Sequence, residues 1–206
     1  TKNTMADLRW MRNNGLEEQV IRLSGDGVTV MGICGGYQML GNILSDSEGV
    51  EEGGRMAGMG LLPVETNFRK EKVRTRIHGE IRCGSWNGCL VEGYEIHMGE
   101  STWKSGARAS TWTRDGVTGQ EKTEGTVFEN VCGTYVHGIF DKEESALALI
   151  RAAGKKKGID VSQMEGVDFA AFKETQYDIL AAELRKHLDM KKIYEILEEG
   201  TGGTET

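Results

Sequence analysis

The chain has 206 residues, of which 38% are hydrophobic and 28% charged, a balance that suits a folded domain with a real core and excludes a disordered chain. Its formal net charge of −7 lacks the basic footprint a general nucleic-acid binder needs to displace counterions, so no nucleic-acid partner is expected. No apolar run is long enough to span a bilayer, and Thr1 to Arg12 contain no signal-peptide core, so no membrane partner is expected either.

In chain order, Thr4 followed by Asp7 resembles a capping box, and the spacing of Leu8, Met11, Leu16, Val20, Ile21 and Leu23 predicts helices over 5–13 and 16–23, separated at Gly15. Gly25-Asp26-Gly27 is a turn. Val28 to Ile33 is a short β-branched run without polar alternation, as in a buried parallel strand. A glycine-rich corner follows, and Tyr37-Gln38-Met39-Leu40 opens a helix. From Ser45 to Thr126 short β-like runs (60–66, 73–82 and 93–98) are punctuated by glycines, which number 29 in the chain against one proline, Pro63. A strand is predicted over 127–135, running into His137, and a helix over 142–156 ending at Gly158. Two helices are predicted over 168–197, with Phe169, Phe172, Tyr177, Leu180, Leu184 and Leu188 as an apolar stripe. The tail 198–206 is expected to fray.

Gly32-Ile33-Cys34-Gly35-Gly36 has the form G-x-C-x-G between a buried strand and a helix, a cysteine nucleophile elbow. Glycines two before and two after the nucleophile let the chain fold back. The helix start favours thiolate, and the Gly35 N–H points where an oxyanion would form. Alone, the cluster also fits a structural cysteine at a tight βα turn. Gly133-Thr134-Tyr135-Val136-His137-Gly138 places a histidine just after an apolar strand, and in a parallel sheet the strand ends gather at one edge. His137 there can accept the Cys34 proton and return it to a leaving amine, although a lone histidine also fits one that only packs. Cys34, Cys83, Cys89 and Cys132 form no CxxC pair and no Cys/His set with zinc spacing. No metal site is expected, and a reduced, cytoplasmic compartment is the simplest reading.

Ile33-Cys34-Gly35-Gly36-Tyr37-Gln38-Met39-Leu40-Gly41 resembles the nucleophile segment of the CobB/CobQ-type class I glutamine amidotransferases, and Gly133 to Asp141 resembles their histidine segment. Tyr94-Glu95-Ile96-His97-Met98-Gly99 is similar to a further stretch of the cobyric acid synthase branch. So are Asp7-Leu8-Arg9-Trp10, the run from Gly60 to Thr66, and Gln176-Tyr177-Asp178. The resemblance implies an α/β fold of the flavodoxin-like type with a mostly parallel sheet. It implies a glutamine amidotransferase domain over 1–158 whose first strands are missing, and a helical C-terminal extension over 159–206. It implies glutamine hydrolysis with Cys34 as nucleophile and His137 as acid–base partner, and Gly35, Gly36 and Gln38 in oxyanion or substrate binding. The ammonia then serves an ATP- and Mg2+-dependent synthetase domain that amidates a corrinoid, adenosylcobyrinic acid a,c-diamide, on the route to cobalamin.

Two departures matter. Most class I amidotransferases carry a glutamate two residues after the histidine, where this chain has Ile139; the CobB/CobQ branch is similar in lacking that glutamate. What orients His137 is left open, with Glu95 and Glu100 as candidates beside structural roles for both and for His97. The chain also has no G-x-x-x-x-G-K-[ST] segment, so ATP and Mg2+ are expected at a synthetase domain outside it, and no cofactor within it. Two rivals remain: an amidotransferase serving a Mur-ligase-like partner on a cell-wall precursor, and a non-catalytic binding module of the same fold.

Overall fold

The computed structural model describes residues 1–103 and 106–199, and the chain divides into two units, Thr1–Gly166 and the part from Val167 onward. The first unit opens with α1 (Thr4–Asn13) and α2 (Leu16–Gly25), which break at Gly15 because the chain there takes φ 73°. The cap of α1 differs from the expected capping box. Asn3 is the N-cap, its side chain accepting from the Ala6 N–H at 2.9 Å, while Thr4 lies one residue inside the helix and is buried.

Strand β1 (Val30–Ile33) begins two residues later than the apolar run, because the Val28 N–H closes the preceding turn onto the Leu23 carbonyl. Next come α3 (Gly35–Leu40), β2 (Ile43–Asp46), β3 (Gly54–Ala57), β4 (Val64–Ile81) and β5 (Leu90–Trp103). They are followed by β6 (Thr111–Asp115), β7 (Glu121–Glu124), β8 (Thr126–Phe128), β9 (Val131–Thr134), β10 (Val136–His137) and α4 (Glu143–Lys157). The predicted single strand over 127–135 is a tight hairpin instead. Glu129 takes φ 53°, so β8 turns back antiparallel on β9. Nothing in a run of apolar residues marks that reversal, since Glu129 is not a glycine. Helix α4 ends where expected, on Gly158 at φ 66°.

The strands form two mixed sheets, one in the order β1-β9-β8 and one in the order β10-β5-β4-β2-β3 with β6 on β4 and β7 on β6. Among the described residues, parallel pairing occurs between β1 and β9 and between β2 and β4; the middle of the chain is antiparallel. One apolar cluster centres on Met5, Leu8, Tyr37, Leu40, Leu44 and Val64, and a second on Ile77, Ile81, Trp86, Val91, Val136 and Ile139. Burying a side chain of this size contributes about 2 kcal/mol, so the two clusters fix the sheets that flank the elbow.

The second unit holds α5 (Phe169–His187), capped by Asp168 through the Ala171 N–H, and α6 (Met190–Glu199). Its apolar stripe is in place, but Phe172, Tyr177, Leu180, Leu184 and Leu188 are all exposed. The expected frayed tail lies, from residue 200, outside the described residues. Among those described, no helix is long and apolar enough to cross a membrane.

Candidate active site

Cys34 sits between β1 and α3 at φ 54° and ψ −114°, a conformation that strains any residue with a Cβ. Its backbone is pinned on both sides. The Cys34 N–H donates to the Thr134 carbonyl at 2.9 Å, and the Cys34 carbonyl accepts the first helical bond of α3 from the Gln38 N–H at 3.1 Å. A Cβ on Gly32 would lie 2.6 Å from the backbone of Gly36, so the fold-back needs a bare residue before the nucleophile. Gly36 differs: a Cβ there meets nothing within 4 Å. A Cβ on Gly133, opposite Gly32 in the β1–β9 ladder, would strike the Tyr37 ring at 2.0 Å.

His137 lies three residues beyond the Thr134 that holds Cys34. Strand β10 pairs with β5 so that Val136 faces Glu95 and His137 faces Tyr94, whose ring stacks on the imidazole at 4.9 Å between centroids. The Cys34 thiol donates to the Ile96 carbonyl of the same strand at 3.7 Å. Cys34 and His137 therefore meet the Tyr94–Gly99 segment two residues apart. The His137 Nε2 is buried and has no partner among the described residues. Burial above all lowers the His137 pKa below the ordinary histidine value, which favours the neutral imidazole at neutral pH.

The thiol departs from expectation. Burial pushes the Cys34 pKa up, and the hydrogen bond from the Gly35 N–H, which pulls the other way, does not offset it. Cys34 therefore rests toward the thiol form, because α3 is a six-residue helix start under a half-buried sulfur.

Glu95 is fully buried. Burial opposes its charge, but His97 Nε2 at 3.3 Å and Lys122 Nζ at 2.7 Å hold its carboxyl below the usual range; its Oε1 has no partner among the described residues. Glu100 is elsewhere, exposed and paired with Arg69. His97 also bonds the Gly99 carbonyl through Nδ1 at 2.8 Å and stacks on Tyr135 at 3.7 Å. Gln38 points inward: it accepts from the Thr4 hydroxyl at 3.0 Å and donates to the Tyr135 hydroxyl at 3.2 Å. That chain continues through Ser101 to Thr66 and ties α1, α3, β4 and β5 together behind the nucleophile.

Sequence reasoning missed Glu124. This buried carboxyl is raised in pKa by desolvation, and it accepts from the Thr134 hydroxyl and from the Tyr135 N–H at 2.9 Å, bracing the junction that carries His137. An acidic residue in a polar strand gives no sign of this. The remaining thiols are buried apart from the elbow. Cys83 and Cys132 lie 3.2 Å apart, sulfur to sulfur, and Cys89 packs nearby.

Residues 1–145 match the CobB/CobQ-like glutamine amidotransferase domain model. The chain is 44% identical, along its whole length, to a cobyric acid synthase of Ruminiclostridium cellulolyticum, and 42% identical over 97% of its length to one of Lachnoclostridium phytofermentans. It spans 42% of the length of each of these relatives. A crystal structure of a glutamine amidotransferase superposes at a TM-score of 0.47 with 14% identity, over 76% of each chain. With its cysteine elbow and histidine on one α/β scaffold, the chain belongs to the CobB/CobQ-like glutamine amidotransferase domain family.

Proposed function

We propose that this chain hydrolyses glutamine at Cys34 and His137, and that the ammonia serves ATP-dependent amidation of carboxylates of adenosylcobyrinic acid a,c-diamide in cobalamin biosynthesis, in the cytoplasm. The observation that carries the reading is the convergence of a positive-φ cysteine and a neutral histidine on one short stretch of β5. ATP and Mg2+ would act at a synthetase domain like that expected in the longer relatives. In the first step the Cys34 sulfur bonds to the glutamine Cδ while His137 takes the thiol proton. The carbonyl electron pair moves onto oxygen, opposite the Gly35 N–H. The tetrahedral species collapses, the C–N bond breaks, and His137 gives its proton to the departing ammonia. Water then attacks the thioester as His137 removes its proton; the C–S bond breaks, glutamate leaves, and the sulfur regains the proton. Gln38 and Glu124 act in this scheme as positioning residues, behind the elbow and beneath the β9–β10 junction.

The test uses the chain joined to its synthetase. Cys34→Ala should abolish glutamine-dependent corrinoid amidation, by at least about 10³-fold as for loss of a covalent nucleophile, and spare amidation supplied with ammonium salts at alkaline pH. Loss of both activities in a folded variant defeats the two-site scheme. Amidation of a cell-wall precursor in place of the corrinoid points to the Mur-ligase-like partner, and a wild-type chain without glutaminase activity points to a binding module.

A further inference from the structure

Cys83, Cys89 and Cys132 share the second apolar cluster, and the mechanism above uses none of them. Cys83 and Cys132 belong to different sheets. Cys83 lies two residues past the end of β4, where its carbonyl accepts the Trp86 N–H at 3.1 Å and starts a single 3-10 turn, Gly84–Trp86. Cys132 lies in β9, the middle strand of the first sheet, between Met31 of β1 and Val127 of β8. Two residues further on, the Thr134 carbonyl receives the Cys34 N–H. The Cys132 thiol donates to the Cys83 sulfur at 3.2 Å. Both sulfurs are enclosed: Trp86, Val91, Val127 and Ile139 belong to the same cluster, and Leu149 of α4 packs against it. The contact therefore joins the second sheet to the strand that pins the elbow.

We propose that Cys83 and Cys132 form a disulfide site, closed by a peroxide and opened by a dithiol, and that the closed form staples the two sheets together. The sulfurs stand about 1.2 Å beyond bonding distance, a gap that small rotations of the two side chains close with the backbone in place. Cys83 attacks first. The hydrogen bond from Cys132 holds the Cys83 pKa down, whereas donating that bond, together with burial, keeps Cys132 protonated. The Cys83 thiolate bonds to one oxygen of hydrogen peroxide, the O–O bond breaks, and the departing hydroxide takes up the proton Cys83 gave away. The Cys132 sulfur then bonds to the Cys83 sulfur, the S–O bond breaks, and the hydroxyl leaves as water with the Cys132 proton. Two thiols lose two electrons in all, and one peroxide becomes two waters. Hydrogen peroxide is close to water in size, so it enters on smaller openings than an alkylating agent needs. The bridged residues are 49 positions apart, so the cross-link takes much freedom from the unfolded chain. Cys34 stays out of the bridge, since its sulfur meets the Ile96 carbonyl.

The test uses the whole chain, with hydrogen peroxide as oxidant. After oxidation the chain is unfolded in excess iodoacetamide and digested without reduction, and peptide mass spectrometry reads which sulfurs are joined. Wild type should yield a Cys83–Cys132 cross-linked peptide, and its Tm without reductant should rise by about 8 °C over that of the reduced chain. Dithiothreitol should reverse both. Cys89→Ala should keep the cross-link and the rise in Tm; Cys83→Ala and Cys132→Ala should each lose both. Three results overturn the proposal: Cys83 and Cys132 recovered as alkylated or singly oxidised sulfurs, a cross-link to Cys34 or Cys89 in place of theirs, or a cross-link that leaves Tm unchanged or lowers it. Should Cys83→Ala or Cys132→Ala fail to fold, the peptide map and the two Tm values of the wild type decide by themselves.

Discussion

Cys34, at the end of β1, and Cys132, on the neighbouring β9 and against Cys83, are built in opposite ways. Cys34 terminates β1 in a strained backbone pose, its sulfur half-buried and touching one carbonyl. Cys132 lies on β9, paired with Met31 just upstream of the elbow, in ordinary extended backbone, fully enclosed and 3.2 Å from Cys83. The pKa of Cys34 and of Cys132 is raised, and that of Cys83, hydrogen-bonded to Cys132, is lowered, so pKa alone does not single out Cys34. What separates them is backbone strain that presents a sulfur and, on the proposed mechanism, a histidine that removes its proton when substrate arrives. Reactivity here is a property of the pair of residues and of access to them, more than of the thiol alone.

The largest effect that follows concerns access. In the folded chain Cys34 should alkylate on the order of 10³-fold faster than Cys83 or Cys132, because the latter react only after an opening that costs several kcal/mol. Peptide mass spectrometry after timed iodoacetamide quenching measures this directly. Comparable rates for all of them in a natively folded sample would erase the contrast.

A smaller effect tests whether the strain belongs to the elbow. Gly32→Ala forces a methyl group against Gly36 backbone that cannot move aside, and should cost about 3 kcal/mol in denaturant unfolding. Gly36→Ala meets open space at a helical φ and should leave stability unchanged or raise it by about 0.5 kcal/mol. Equal costs for the two would mean that the elbow is not shaped by the Gly32–Gly36 approach.

The elbow was legible because its constraints are local: a β-branched run, a cysteine among glycines, and a helix start all lie within a dozen residues. His137 was legible as a strand-end residue, and the Tyr94–Gly99 segment as part of the family pattern. Register was not legible. Nothing in the Tyr94–Gly99 segment says that Tyr94 will face His137 while Ile96 faces Cys34, and that pairing turns three separate segments into one site. The Glu129 reversal and the buried Glu124 escaped for a related reason, since a polar residue whose partners come from distant strands looks in sequence like surface. Gln38 misled in the other direction: its place in the nucleophile motif reads as substrate contact, but both ends of its amide are engaged by Thr4 and Tyr135.

The subtlest consequence lies in pH. Burial lowers the His137 pKa and raises that of Cys34, so the productive thiol–imidazole pair should persist across a wide window. The acid limb of kcat/KM for glutamine should have its midpoint below the ordinary histidine value of about 6.5, and the alkaline limb above the ordinary cysteine value of about 8.5. Stability moves with the same sign on the acid side. Between the folded His137 value and about 6.5 the unfolded chain binds more protons, so the stability present above that range is lost as pH falls through it. His97, held by Glu95 with Lys122 behind, makes the smallest of the contributions that lower the His137 pKa, after burial and the N-terminal charge. Replacing His97 by Asn should therefore move the acid limb upward, toward the ordinary value, without moving the alkaline limb. A pH profile of glutaminase kcat/KM on wild type and His97→Asn reads both limbs. An acid limb above 6.5 in the wild type, or one that His97→Asn leaves in place, would show that burial and His97 do not set the charge of His137.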